Sequence, residues 1–366
     1  MADYFLYDRQ AEGAGDRIAI RTRETSWTYD RVAKESNRFG NALRALGVAR
    51  GDRVLLSLPD VPQFAAGIFG TLRVGSVVAM VNPLLPADDL EYYASYSQAG
   101  VIFCDADVAR KLSPLASRFP NLRGIVVWGG DPPAGERFRR YDDAVGRASD
   151  RCEPAQTDSE EVAYWLFTSG STGQPKAVLH RHRDFPWNCE RYAKGVVGFH
   201  KDDVTLSVPR LFFGYGTGTN LLFPFSVGAT ACLFPEKPTA EVLFECVERF
   251  RPTILTSVPT SINAMASDPS CATRDLSSLR AVLSAGEALP PELYHRWKKT
   301  FGVEILDGIG SAETFHIYIS NAPGDVVAGS LGKVVPGYEV KVANPDGVPV
   351  ASGEIGTLWI RGDSVG

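Results

Sequence analysis

The run Val162-Ala163-Tyr164-Trp165-Leu166-Phe167-Thr168-Ser169-Gly170-Ser171-Thr172-Gly173-Gln174-Pro175-Lys176-Ala177-Val178-Leu179-His180 decides how this chain is read. Its first six residues are apolar enough for a buried strand, and its last four read as another. Between them the residues carry little beyond hydroxyls, and one lysine closes the stretch. Backbone N–H groups stand open in such a loop, and Ser and Thr add donors, a combination that suits phosphate oxygens. Gly, Ser and Thr also gather in plain surface hairpins. The order Gly-Lys-Ser/Thr is missing and no helix start follows at once, so this is not a P-loop.

Upstream, strand-like and helix-like segments alternate. A strand at Ile18–Arg21 precedes a helix from an Asp30 N-cap to Leu46, stopped by Gly47. Strands at 53–58, 76–81, 101–104 and 122–128 are separated by helices at 62–74, 86–99 and 112–119. A Gly/Pro-rich loop and a polar connector lead to Val162. Downstream, a helix over 183–197 is followed by strands at 204–208, 229–234, 253–257, 279–284 and 303–306, with helices at 219–225, 239–250, 261–266 and 291–301. Such alternation calls for right-handed crossovers and mostly parallel sheets covered on both faces. From Leu331 the pattern becomes strictly alternating, with Tyr338–Val342 and Gly356–Arg361 around an Asn344-Pro345-Asp346-Gly347 turn. The expected fold is α/β: two sheet subdomains, 1–182 and 183–330, and the start of a small antiparallel unit over 331–366. That unit leaves an unpaired strand edge, so a fragment of a longer protein is expected.

The 366 residues, 44% apolar and 22% charged, suffice for a sizeable core. A net charge of −5 without a basic run argues against nucleic-acid binding. No apolar run approaches a membrane span, and the N-terminus lacks a signal-peptide pattern. Six scattered cysteines suit core thiols and a cytoplasmic location. His180 and His182 lack partners at metal-ligand spacing.

The string Thr168–Lys176 resembles the phosphate-binding signature of the adenylate-forming superfamily: acyl- and aryl-CoA synthetases, peptide-synthetase adenylation domains and luciferases. Three further stretches match, each at the end of an expected strand, where open α/β sheets place ligands. Ala285-Gly286-Glu287-Ala288 would line the adenine pocket, although Glu287 also reads as a plain helix-start carboxylate. Asp307-Gly308-Ile309-Gly310-Ser311-Ala312-Glu313 resembles the family's aromatic-Gly-Ser/Thr-Thr-Glu motif. It implies Asp307 on the adenine amino group and Glu313 on Mg²⁺ bridging the phosphates. Ile309 replaces an aromatic and Ala312 a threonine. One lost hydrogen bond to a charged group is worth roughly 1.5–3 kcal/mol, so slower or weaker adenylation is expected.

The third stretch, Phe212-Phe213-Gly214-Tyr215-Gly216, with Phe315-His316, resembles benzoate-CoA ligases and related aryl-CoA ligases. The resemblance implies a slot for a flat aromatic acid. Gly214 gives room at the ring edge, Phe213 and Tyr215 flank its faces, and Ala285 and Gly310 complete the wall. His316 reads equally as a partner for a ring substituent and as a core histidine. The loop lacks an aspartate for an α-ammonium, which argues against amino acids as substrates.

The implied activity is ATP-dependent formation of an aryl-AMP from a benzoate-like acid, 2-aminobenzoate included, and transfer to the thiol of coenzyme A. The site residues it implies are Lys176 and Glu313 for catalysis and Thr168, Ser169, Gly170, Ser171, Thr172 and Gly173 for the phosphates. Two other readings stay open: an adenylation enzyme loading a carrier protein, and a domain that binds aryl acid and nucleotide without turnover.

Overall fold

The computed structural model describes residues 1–168 and 173–366. One sheet runs in the order Phe138–Arg140, Gly124–Trp128, Val101–Asp105, Arg53–Ser57, Val77–Met80, Val162–Thr168, Lys176–Arg181. Its pairings are parallel until the final hairpin, which is antiparallel. The central strands are continuous apolar runs, as strands covered on both faces must be. Val77–Met80 is buried at every position.

A second sheet is ordered Lys333–Val334, Ile317–Ser320, Ile305–Gly310, Ala281–Ser284, Ile254–Ser257, Val204–Ser207, Thr230–Cys232, Ile18–Arg21, Ser26–Thr28. The first two strands of the chain therefore join a sheet built otherwise from its second half, across the division expected at 182. Ile20 lies parallel to Ala231, and the hydroxyl of Tyr29 donates to the Ala229 carbonyl at 2.7 Å. Local pattern encodes a strand but not a partner two hundred residues away.

Two helix signals also resolve differently from the expectation. Thr28, not Asp30, caps the helix Tyr29–Ala45, its side chain accepting the Arg31 N–H at 3.2 Å. The segment expected at 112–119 is a helix over Ala106–Leu112, capped by Asp105 on the Val108 N–H at 2.8 Å, followed by a tight 3₁₀ turn. Both caps satisfy N–H groups that a helix start leaves unpaired.

Buried rings fill the space around the sheets, among them Phe39, Phe69, Phe103, Tyr164, Phe185, Phe223 and Phe225. Towards the C-terminus, Glu339–Ala343 and Thr357–Arg361 pair antiparallel, with Val340 opposite Ile360. Among the described residues these two strands form a separate ladder, not a closed barrel.

Candidate active site

The strands Val162–Thr168 and Lys176–Arg181 form a hairpin, as expected, with Thr168 directly opposite Lys176. Ser169, Gly170, Ser171 and Thr172, expected on phosphate, lie outside the described residues. Gly173 turns the chain back with φ at +82°, a conformation glycine adopts without a steric penalty. Lys176 is exposed.

Four residues beyond Lys176, His180 is completely buried. Its Nδ1 lies 3.2 Å from the Asp184 carboxylate, and its Nε2 lies 2.6 Å from the carbonyl oxygen of Ala312. The same Asp184 oxygen accepts the Arg181 N–H at 2.9 Å. A histidine that sequence left without a role thus ties the phosphate hairpin to the turn Ala312–Thr314. Asn188 and the hydroxyls of Tyr338 and Ser364 add donors to the Thr314 carbonyl.

Held in this way, the turn exposes Glu313. Among the described residues no group of three His, Cys, Asp or Glu side chains is placed to hold a metal ion. A single hard carboxylate fits Mg²⁺, which keeps several waters and takes its other oxygens from substrate phosphates. The next residue but one, Phe315, sits at φ 68°, ψ −46°, a region costly for a side chain with a Cβ. Its ring is fixed by Phe185 at 4.5 Å and His180 at 5.9 Å between centroids.

Upstream of the turn, Asp307, Gly308 and Ile309 lie on the strand Ile305–Gly310. Burial pushes the Asp307 carboxyl up to about 6. Its Oδ1 is buried with no hydrogen-bond partner among the described residues. Such an atom is costly unless a ligand or water meets it.

The strand end, the turn and the Phe212–Tyr215 stretch converge on a cavity of about 770 Å³. Of the expected residues, Phe213, Gly214, Tyr215, Ala285, Gly286, Gly310, Ser311, Phe315 and His316 all line it. Glu287 and Ala288 line a neighbouring groove instead. The Glu287 carboxylate accepts from the Thr260 N–H at 3.0 Å and its hydroxyl at 2.6 Å, capping the helix Pro259–Ser267. Phe213 is 55% exposed and stands at the mouth. Gly214 and Tyr215 begin a helix five residues earlier than expected.

His316 is walled in by the rings of Phe223 at 4.5 Å and of Tyr192 and Tyr215 at 5.3 Å. Its Nε2 faces the Tyr215 carbonyl at 3.3 Å; a carbonyl only accepts, so Nε2 carries the proton. Burial holds the ring pKa down at about 3. The imidazole is therefore neutral near pH 7, and Nδ1 is an acceptor. Both Nδ1 and the Tyr215 hydroxyl are buried and without a hydrogen-bond partner among the described residues.

Sequence reading missed the walls contributed by the first sheet: Met80, Val81, Asn82, Tyr93 and Phe167. A signal was available for Met80, Val81 and Asn82, at and just past the C-terminal end of the parallel strand Val77–Met80, but not for Phe167, inside a strand, or Tyr93, on the helix Ala87–Ser97. It also missed Asp60, fully buried, whose Oδ1 accepts the Leu211 N–H at 2.9 Å. Its other oxygen lies 3.8 Å from Arg210, a cavity-lining residue. Arg210 also donates to the carbonyls of Phe234 and Glu236, so its guanidinium is committed to the scaffold.

A family profile described as AMP-binding enzyme matches residues 7–366. Benzoate–CoA ligase of Thauera aromatica is 40% identical over 365 residues, covering 99% of this chain and 68% of that protein. A solved anthranilate CoA ligase, in complex with anthranoyl-AMP, superposes on the whole chain with a TM-score of 0.95 at 35% identity. A benzoate CoA ligase from Burkholderia xenovorans LB400 does so with a TM-score of 0.91 at 34% identity. The chain covers 70% and 71% of those two structures, so it spans somewhat over two thirds of their length.

Proposed function

The chain belongs to the AMP-binding enzyme family, and we propose that its cavity activates a benzoate-like aromatic acid as the aryl-AMP, with coenzyme A as the acceptor. The observation that carries this reading is the cavity itself. Gly214, Ala285 and Gly310 keep its walls thin, Tyr215, Phe315 and His316 give it aromatic sides, and among the described residues no carboxylate lines it to pair with an ammonium.

In the reaction the acid's carboxylate oxygen attacks the α-phosphorus of ATP, forming the acyl–phosphate bond as the bond to pyrophosphate breaks. The coenzyme A thiolate then attacks the acyl carbon and AMP leaves. No covalent protein nucleophile is needed; orientation and charge neutralisation lower the barrier. Lys176 neutralises phosphate charge from the hairpin, and Asp307 receives the adenine. Glu313 would hold Mg²⁺, which when bound offsets the negative charge of the phosphates. The apolar sides of the cavity exclude water from the mixed anhydride. Tyr215 and the acceptor Nδ1 of His316 offer hydrogen bonds to a ring substituent such as an amine or a hydroxyl.

ATP–pyrophosphate exchange over benzoate, 2-aminobenzoate, hydroxybenzoates, a medium-chain fatty acid and an aliphatic α-amino acid tests this. Exchange confined to the aryl acids is expected. Preference for the fatty acid or the amino acid would overturn the aryl assignment.

A further inference from the structure

Among the described residues the strand Lys176–Arg181 is the last of its sheet, and its outer backbone groups meet no further strand. The helix Ala87–Ser97 supplies partners in their place. The Tyr92 hydroxyl donates to the Pro175 carbonyl at 2.7 Å, and the Tyr96 hydroxyl accepts the Ala177 N–H at 3.4 Å. Those groups belong to the two peptide units that meet at the Cα of Lys176. Residues 92 and 96, one helical turn apart, share a face. Their rings stack with centroids 5.7 Å apart, and Tyr96 meets Phe167 and Trp165 edge-on at 6.1 Å. The tyrosine pair is thus itself fixed to the opposite strand of the hairpin.

We propose that Tyr92, seconded by Tyr96, is a positioning residue for Lys176: it fixes the peptide planes on either side of the lysine so that the ammonium meets the phosphates of ATP. The proposal rests on reading Lys176 as a phosphate contact. A long side chain such as that of Lys176 costs less to order around a ligand when the backbone that carries it is already held. Tyr93, between them, lines the acid cavity and meets Phe167 at 4.6 Å. One helix therefore serves both the acid and the phosphate ends of the site.

Calorimetric titration of the 366-residue protein with ATP, AMP and benzoate separates the possibilities. Tyr92→Phe is expected to weaken ATP about three- to tenfold, the loss of one hydrogen bond, and to leave AMP and benzoate within about twofold. Lys176→Ala is expected to weaken ATP by about tenfold or more, and Tyr92→Phe in that background to add nothing. A silent Tyr92→Phe beside a damaging Lys176→Ala would overturn the positioning role and leave Lys176 in place. A silent Lys176→Ala would overturn both. Equal weakening of all three ligands, or a further loss in the double variant, would show that Tyr92 acts by another route.

Discussion

His180 Nε2 lies 2.6 Å from the Ala312 carbonyl oxygen, a bond that joins the hairpin carrying Lys176 to the turn carrying Glu313. With Asp184 on its other nitrogen, the ring is fully enclosed. His180→Leu keeps the volume but removes both bonds. It leaves the Ala312 carbonyl and part of the Asp184 charge buried and unpaired. The expected cost is about 2–4 kcal/mol of unfolding free energy, read from urea denaturation. Nucleotide affinity should fall with it, because the two halves of the phosphate site are no longer held in register. A stability change below the reach of the measurement would show that the tie is not needed.

Gly214 has no room to spare. A Cβ built there would come 2.9 Å from Leu166 Cδ1 and 3.3 Å from the Phe315 carbonyl oxygen. Leu166 is a side chain that can shift; the Phe315 backbone, held at positive φ, cannot. Gly214→Ala should therefore narrow the cavity at the ring edge without unfolding the protein. Benzoate is expected to lose about two- to fivefold in affinity and a ring-substituted acid about tenfold or more, the larger loss being that of the one to three kcal/mol that a methyl-sized misfit costs in a pocket. Equilibrium titration of both acids against both proteins checks the ratio. Equal losses would place the substituent elsewhere.

Asp60 gives a pH signature. Burial raises its carboxyl to about 6 in the folded protein, against 3.8 for the free group, with Arg210 and the Leu211 N–H pulling the other way. The folded state then binds more protons than the unfolded state between pH 4 and 6. Its contribution to stability is complete below about pH 4 and is lost as pH rises through about 6. Asp60→Asn, which keeps an acceptor for Leu211, should remove that dependence. The wild-type protein should lose up to about 3 kcal/mol relative to the variant between pH 4 and 7, measured as the difference between two denaturation series. Parallel series would mean that Asp60 does not titrate in this window.

The alternation of strands and helices was readable because each segment carries its own period and its own start signal. The site was readable where small residues end a strand, as Ala285, Gly286 and Gly310 do, and at Gly214 in a glycine-rich aromatic stretch; all four reach the cavity. Long-range partners were not readable. Ile18–Arg21 looks like a strand of either sheet until Tyr29 and Ala229 meet. Glu287 reads as a nucleotide contact or as a carboxylate at the start of the helix that follows it, and its bond to Thr260, at the start of a different helix, is visible only in the fold. His180, Asp60 and Tyr92 carry no local pattern at all. Each acts across a stretch of chain, on a backbone group whose orientation the sequence does not encode.

His316 provides the opposite pH dependence from Asp60. Burial holds its ring at about 3, below the 6.5 of a free histidine, so the folded protein binds it neutral while the unfolded chain takes up the proton. Stability contributed in this way is present above about pH 6.5 and is lost as pH falls towards 3. Acid binding by the cavity should accordingly show no step from this ring between pH 5 and 8, since Nδ1 stays an acceptor throughout. His316→Asn should shift the acid-unfolding midpoint towards lower pH, because the variant no longer has a buried base to protonate. Its imidazole proton resonances, followed by NMR from pH 8 downwards, should stay fixed until the protein unfolds. A titration near pH 6 in the folded protein would mean that the ring is charged when it meets the substrate, and the hydrogen bond it offers would have to be a donated one.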